Sequence, residues 1–101
     1  MHIQIITFNL KDVSRQDYEV TCNEIAQAFA DLPGLQSKHW LADEASNTYG
    51  GVYIWESKEA MQRYLESDLF SQVLNNPLFE NVSSRGFEVL KGPTRVTRGL
   101  D

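Results

Sequence analysis

The chain has 101 residues, which is enough for one domain with a modest hydrophobic core spanning residues 1–101. Apolar residues make up 42% and charged residues 23%, with a net charge of −5, and this composition is that of a soluble globular protein. The acidic balance argues against a nucleic acid partner, and no apolar run approaches the roughly 20 residues of a membrane span. We therefore expect a cytoplasmic protein that binds neither nucleic acid nor membrane.

The predicted elements follow one another in the order β-α-β-β-α-β. Alternating or β-branched segments predict strands, and apolar residues at spacings of three and four predict helices. The predicted ranges are a strand over residues 2–8, a helix from Ser14 to the Pro33-Gly34 stop, strands over 35–42 and 49–56 joined by a turn at 43–48, a helix capped by Ser57, a helical turn restarting at Ser67, a strand over 82–91 and a short tail from Gly92.

The first helix carries one apolar stripe and the only cysteine of the chain. The stripe consists of Tyr18, Cys22, Ile25, Phe29 and Leu32. A single cysteine excludes an internal disulfide and any cysteine-rich metal site. We expect a buried or half-buried thiol at this position, because no basic residue or histidine lies near it in the sequence.

The element order predicts an α+β, ferredoxin-like fold, with a four-stranded antiparallel sheet and helices on one face. Both parities of the strands are apolar, as Ile3 and Ile5 alternate with Ile6 and Phe8. A sheet face exposed to water would show more polar residues. We therefore expect a second copy of the sheet to cover the free face, which makes the protein a homodimer with two-fold symmetry.

The hairpin between residues 33 and 56 is unusually rich in aromatic and polar side chains. A hairpin that only filled a core would carry mostly Val, Ile and Leu. This one carries two indoles, two phenols, an ammonium and an imidazole, which are groups that bind flat organic molecules. The residues are Lys38, His39, Trp40, Tyr49, Tyr53 and Trp55.

This hairpin carries three short motifs, Pro33-Gly34-Leu35, Lys38-x-Trp40 and Gly50-Gly51-Val52-Tyr53-Ile54-Trp55. Together they resemble those of the YdhR-type mono-oxygenases, a family of the dimeric α/β-barrel superfamily that includes the antibiotic-biosynthesis mono-oxygenases. The order of elements agrees over nearly the whole chain. The resemblance implies a small cytoplasmic homodimer with one pocket per subunit, between the sheet and the helices.

The residues themselves suit oxygenation without a metal or flavin. Such a reaction needs an electron-rich aromatic substrate, a group that stabilises its anion, and a site closed to water. For catalysis we predict Lys38 or His39, which cannot share a pocket because adjacent strand residues point to opposite faces. Lys38 shares its parity with Trp40 and is favoured by the family motif, and His39 is the alternative. The predicted substrate-binding residues are Trp40, Tyr53, Trp55 and Tyr64.

Simpler interpretations remain open for the same residues. The indoles serve equally well as core or dimer-interface aromatics, and Gly50 and Gly51 make room for an indole across the sheet. No spacing of histidines and carboxylates indicates a metal site, and no glycine-rich loop indicates a nucleotide or flavin, so we expect no cofactor. Besides the mono-oxygenase, a non-catalytic dimer that binds or senses a small ligand, or an isomerase, fits the same pocket.

Overall fold

A computed structural model describes residues 1–100, which form one four-stranded antiparallel sheet and four helices. The strands lie in the order β2-β3-β1-β4, so β2 and β4 are the edges. The elements are β1 (His2–Leu10), α1 (Arg15–Ala30), β2 (Leu35–Asp43), β3 (Thr48–Trp55), α2 (Lys58–Leu65), α3 (Asp68–Asn75), β4 (Phe79–Glu88) and α4 (Lys91–Val96). The predicted ferredoxin-like fold is confirmed.

Serine side chains begin three of the helices, as the sequence predicts. The Ser14 hydroxyl accepts a hydrogen bond from the Asp17 amide at 3.1 Å, and Ser57 and Ser67 do the same for α2 and α3. Each of these bonds satisfies an amide that the helix itself leaves without a partner. Gly34 follows α1 with φ of +81°, a left-handed conformation that glycine adopts without strain.

The sheet has a helix-covered face and an open face. Residues of β1 at even positions are buried under the helices, and those at odd positions are half-buried. The helix-covered face carries Ile6 and Phe8 of β1 and Tyr53 and Trp55 of β3. The open face is apolar along its centre, where Ile3 and Ile5 pair with Ile54 and Val52, and Phe87 extends it.

The fourth strand and the tail differ from the prediction. β4 begins at Phe79 instead of residue 82, and Phe79 stacks on Phe8 with ring centroids 4.3 Å apart. A β-bulge explains why the sequence did not predict the first residues of this strand. Asn81 has φ of +56° and the pairing with β1 shifts there, so the alternation of side chains is interrupted. The expected tail is a short helix, α4, in which Pro93 occupies the first turn, where its missing N–H costs nothing.

Within residues 1–100, no helix is both long enough and apolar enough to span a membrane.

One buried polar pair connects β1 to β3 in the core. The Trp55 indole N–H donates to Gln4 Oε1 at 2.9 Å, and both side chains have 0% exposure. The Gln4 amide in turn donates to Ser84 Oγ on β4 at 2.9 Å. The pair satisfies polar atoms that no water can reach, and it joins three strands.

We predict that Gln4→Leu lowers the free energy of unfolding by about 1–3 kcal/mol, because it leaves the buried Trp55 N–H without an acceptor. Urea denaturation measures the change. Ser84→Ala is the control, since Ser84 is exposed and water replaces its hydroxyl. The double variant Gln4→Leu with Trp55→Phe removes both partners and should recover part of the loss. Equal stability of Gln4→Leu and the wild type would contradict the role assigned to this pair.

Candidate functional site

The pleat of edge strand β2 separates the two candidate catalytic residues. Lys38 pairs with Tyr53 and Trp40 pairs with Gly51, so both side chains lie on the helix-covered face. His39 pairs with Val52 and lies on the open face. His39 therefore cannot act in the same site as Lys38 and Trp40, and it is exposed in this chain.

The Lys38 amine lies inside a ring of aromatic side chains. Lys38 Nζ is 3.4 Å from the centre of the Trp40 ring, 3.5 Å from that of Phe29 and 4.6 Å from that of Tyr53. Phe29 and Trp40 meet edge to face, with centroids 5.3 Å apart. We call Phe29, Trp40 and Tyr53 the aromatic cage. It attracts an ammonium through the negative faces of its rings and keeps water away from it.

Within residues 1–100, no carboxylate forms an ion pair with Lys38. The ion pairs found among residues 1–100 join Lys11 to Glu80 and Arg15 to Glu19, both on the surface. Burial lowers the Lys38 pKa to about 7, because the charged form loses its hydration, and the nearby Cys22 opposes this shift. A large share of the molecules therefore carries a neutral amine at this position near neutral pH.

Two consecutive glycines shape the floor below the amine. A Cβ at Gly51 would lie 2.8 Å from Lys38 Cε and 3.2 Å from Tyr53 Cε1, so the missing side chain leaves room for the lysine stem. Trp40 pairs with Gly51 across the two strands, as the interpretation of an indole across the sheet expects, and the nearest side-chain atom is that of Lys38. Gly50 has φ of +147°, and a Cβ there would overlap the carbonyl oxygen of Ile6. Gly50 therefore allows the close approach of the β1 backbone, and Gly51 allows the position of the Lys38 side chain.

Two neighbouring spaces adjoin the cage. An inner cavity of about 40 Å³ lies beneath α1 and has mostly apolar walls, which include Lys38, the cage, Cys22 and Phe79. An outer cleft of about 370 Å³ lies between α1 and the hairpin, and its walls include Arg15, Asn23 and Tyr49. Tyr18, Cys22 and Trp40 border both spaces. The outer cleft has the size of a small-molecule site, whereas the inner cavity holds only a few atoms.

Helix α1 supplies side chains that the sequence did not mark as functional. Tyr18 and Cys22 lie next to each other on the wall, and burial raises the pKa of both, so both stay protonated at neutral pH. Phe29 completes the cage. All three belong to the apolar stripe of the first helix, which was interpreted as core. These residues could have been found from the expectation that the helix packs its apolar stripe on the sheet face that carries Lys38.

The remaining predicted binding residues lie deeper. Tyr53 is part of the cage, with 3% exposure. Tyr64 lies behind it, with the two hydroxyls 3.4 Å apart, and burial raises the Tyr64 pKa to about 12. Trp55 stacks on Tyr53 at 6.0 Å and is held by Gln4. Trp40 and Tyr53 thus line the space around Lys38, whereas Trp55 and Tyr64 support Tyr53 from the core.

Residues 1–100 contain no group of three or more His, Cys, Asp or Glu side chains that could hold a metal ion. Neither His2 nor His39 borders the inner cavity or the outer cleft.

We predict that Lys38→Met raises the free energy of unfolding at pH 7 by about 1–3 kcal/mol, because it removes an amine that burial makes hard to charge. The unfolded chain binds the lysine proton more tightly than the folded protein. The wild type therefore gains stability as pH rises from 7 to about 10.4, and the advantage of the variant should shrink over that range. Urea denaturation at several pH values in this range measures the difference in the free energy of unfolding between variant and wild type, with Lys58→Met, at an exposed lysine, as control. A difference that does not depend on pH would contradict the lowered pKa.

Comparisons with known proteins agree with the fold described above. SnoaB, a cofactor-independent oxygenase from Streptomyces nogalater, superposes with a TM-score of 0.69 at 18% identity, covering 89% of this chain and 93% of SnoaB. MhuD from Mycobacterium tuberculosis, a heme degrader with two hemes in its active site, superposes with a TM-score of 0.71 at 22% identity, covering 89% of this chain and 96% of MhuD. No curated protein sequence matches the chain. The family model described as "Putative mono-oxygenase ydhR" matches residues 3–100, and the chain belongs to that family.

Proposed function

We propose that the protein oxygenates a small electron-rich aromatic compound with O2, using no metal or flavin. The observation that carries this proposal is the Lys38 amine, which has no carboxylate partner among residues 1–100 and lies in an aromatic cage beside a ligand-sized cleft. The fold it shares with SnoaB, a cofactor-independent oxygenase, supports the same reaction class. A heme reaction like that of MhuD has less support, because neither histidine borders the cleft.

Lys38 is the base in this proposal. With a pKa of about 7, its neutral form is abundant at neutral pH and accepts a proton from a phenol or from an activated C–H group. The ammonium that results stays beside the substrate anion and stabilises it in surroundings of low dielectric constant. Tyr18 and Cys22 remain protonated nearby and donate hydrogen bonds to the developing oxygen charge.

The reaction balances without an external reductant. The substrate anion gives one electron to O2, and the resulting radical and superoxide combine through a new C–O bond. The proton that remains on this carbon passes to the distal oxygen of the peroxide as the O–O bond breaks, which leaves a carbonyl group and a hydroxide. The departing hydroxide takes the proton that Lys38 holds and leaves as water. A CH2 group between aromatic rings thus becomes C=O, and O2 supplies one atom to the product and one to water.

The substrate ring fits the outer cleft and not the inner cavity. Trp40 borders both spaces and covers Lys38 with its ring face, and it is 37% exposed on the edge strand. Rotation of this indole joins the two spaces, so that the acidic group of a substrate reaches Lys38. The substrate ring then stacks between Trp40 and the side chains of α1.

We predict oxygen consumption when the metal-free protein is given anthrones or hydroquinones, with one atom of ¹⁸O from ¹⁸O2 in the product. Lys38→Met should lower kcat/KM by about 100-fold or more, because it removes the base. The wild-type kcat/KM should rise with pH to a plateau above pH 7, since only the neutral amine accepts a proton. Oxygen electrode traces and mass spectrometry of the product measure these effects.

Two variants sharpen this test. Gly51→Ala keeps Lys38 but displaces its stem from the cage, so it should lower the rate while the protein stays folded. Lys58→Met changes an exposed lysine on α2 and should leave the rate unchanged. If a compound binds in the cleft and oxygen uptake stays at the background rate, the mono-oxygenase proposal fails. The protein would then be a ligand-binding or sensing protein, or an isomerase.

We also propose that two copies pack their open sheet faces together. In one chain the central side chains Ile3, Ile5, Val52 and Ile54 are only half-buried. Phe87 beside them is 40% exposed, with the Arg85 guanidinium 5.2 Å from its ring centre. A second copy supplies the same apolar strip in the opposite direction, which is the arrangement that a two-fold axis produces.

We predict that the wild type sediments as a dimer and that Ile54→Lys sediments as a folded monomer. The substitution places an ammonium at the centre of the proposed contact, where its desolvation opposes association. Val20→Lys is the matched control, because Val20 is 53% exposed on α1 and away from this face. Analytical ultracentrifugation with circular dichroism separates loss of association from loss of folding. A monomeric wild type would contradict the proposed dimer.

A further inference from the structure

The environment of Lys38 suits a covalent reaction as well as proton transfer. Its Nζ forms no ion pair with any of residues 1–100 and adjoins an inner cavity that is bounded mainly by apolar side chains. An amine is a nucleophile only in its neutral form, and lysines that react with carbonyl groups are activated by apolar surroundings. Proton transfer between a substrate and Lys38 does not use the nucleophilicity of the amine.

We propose that Lys38 binds small apolar aldehydes covalently, by forming an imine inside the inner cavity. This inference uses the same lysine as the proposed oxygenation, but it does not depend on that reaction taking place.

The reaction needs no oxidant or reductant. The nitrogen lone pair forms a bond to the carbonyl carbon, the carbonyl π electrons move to oxygen, and one N–H proton passes to that oxygen, which gives a carbinolamine. The C–O bond then breaks, nitrogen and carbon form the C=N bond, and the second N–H proton leaves with the oxygen as water. The aldehyde and the amine therefore yield one imine and one water molecule.

The titratable groups that face Lys38 fit the dehydration step. Cys22 and Tyr18 approach from α1 and Tyr53 from β3, and burial raises the pKa of all three. Each keeps its proton at neutral pH and can donate a hydrogen bond to the departing oxygen. Burial lowers the Lys38 pKa to about 7, so the nucleophile and these hydrogen-bond donors coexist at one pH. The apolar walls exclude water, which would hydrolyse the imine.

The inner cavity limits the size of the aldehyde. Its volume is about 40 Å³, and one water needs roughly 10–15 Å³ of such space, so it accommodates about three non-hydrogen atoms. Acetaldehyde has that size. An aromatic aldehyde would have to displace Trp40 and should react more slowly.

Reductive trapping tests this proposal at pH 7. The protein is incubated with acetaldehyde and cyanoborohydride, which reduces the imine to a stable N-ethyl group, and peptide mass spectrometry follows each lysine separately. Lys11, Lys58 and Lys91 are exposed and serve as internal references. We expect Lys38 to react about tenfold faster than each of them, because a larger fraction of its amine is neutral. This advantage should decline towards pH 10.

Three controls separate the site from general lysine reactivity. In urea-unfolded protein the four lysines should react at similar rates. Gly51→Ala, which displaces the Lys38 stem, should remove most of the advantage, whereas Lys58→Met should preserve it. Benzaldehyde should label Lys38 more slowly than acetaldehyde, relative to the exposed lysines.

The proposal is overturned if, in folded wild-type protein at pH 7, Lys38 reacts with acetaldehyde no faster than the exposed lysines. Its outcome is independent of the oxygenase test. Labelling of Lys38 without oxygen uptake supports the imine site and overturns the mono-oxygenase alone. Oxygen uptake without preferential labelling overturns only the imine site.

Discussion

The alternation of side chains along the strands is the constraint on which the rest of this structure depends. Helices α1, α2 and α3 pack on one face of the sheet, so the parity of a strand residue decides whether it lies beneath them or on the opposite, open face. On β2 this places Lys38 and Trp40 under α1 and His39 on the other side. A shift of one residue in the register would exchange these roles and bring an imidazole into the cage instead of an amine.

The helix-covered face contains buried polar groups that differ in whether they have hydrogen-bond partners. The Gln4–Trp55 pair is fully satisfied, because each buried polar atom of the indole and the amide has a partner. Lys38 has only the faces of aromatic rings, which attract its charge but replace hydration incompletely. The first arrangement stabilises the fold. The second lowers stability near neutral pH and keeps a large share of the amine neutral, and pKa shifts of this kind are common at functional sites.

The two sides of the cage differ in how deeply their aromatic residues are buried. Tyr64 and Trp55 hold Tyr53 from the core, so that wall of the cage is rigid. Trp40 lies on an edge strand at the border of the inner cavity and the outer cleft, and it is the partly exposed member of the cage. A rigid wall opposite a more exposed one suits a site that must admit a ligand and then exclude water.

The sequence alone determined the order of the elements, the three serine caps, the opposition of Lys38 and His39, and the family, because all of these follow from local spacing and motif. It could not reveal the bulge at Asn81 or the helix at Lys91, since a bulge breaks the alternation on which strand prediction rests. Only the tertiary structure decided that Phe29 and Cys22 of α1 lie beside Lys38, that Gly51 leaves room for its stem, and that no carboxylate in the described part of the chain forms an ion pair with it. The physical reason is that burial and the pKa of a side chain depend on neighbours that are distant in sequence, which no local pattern records.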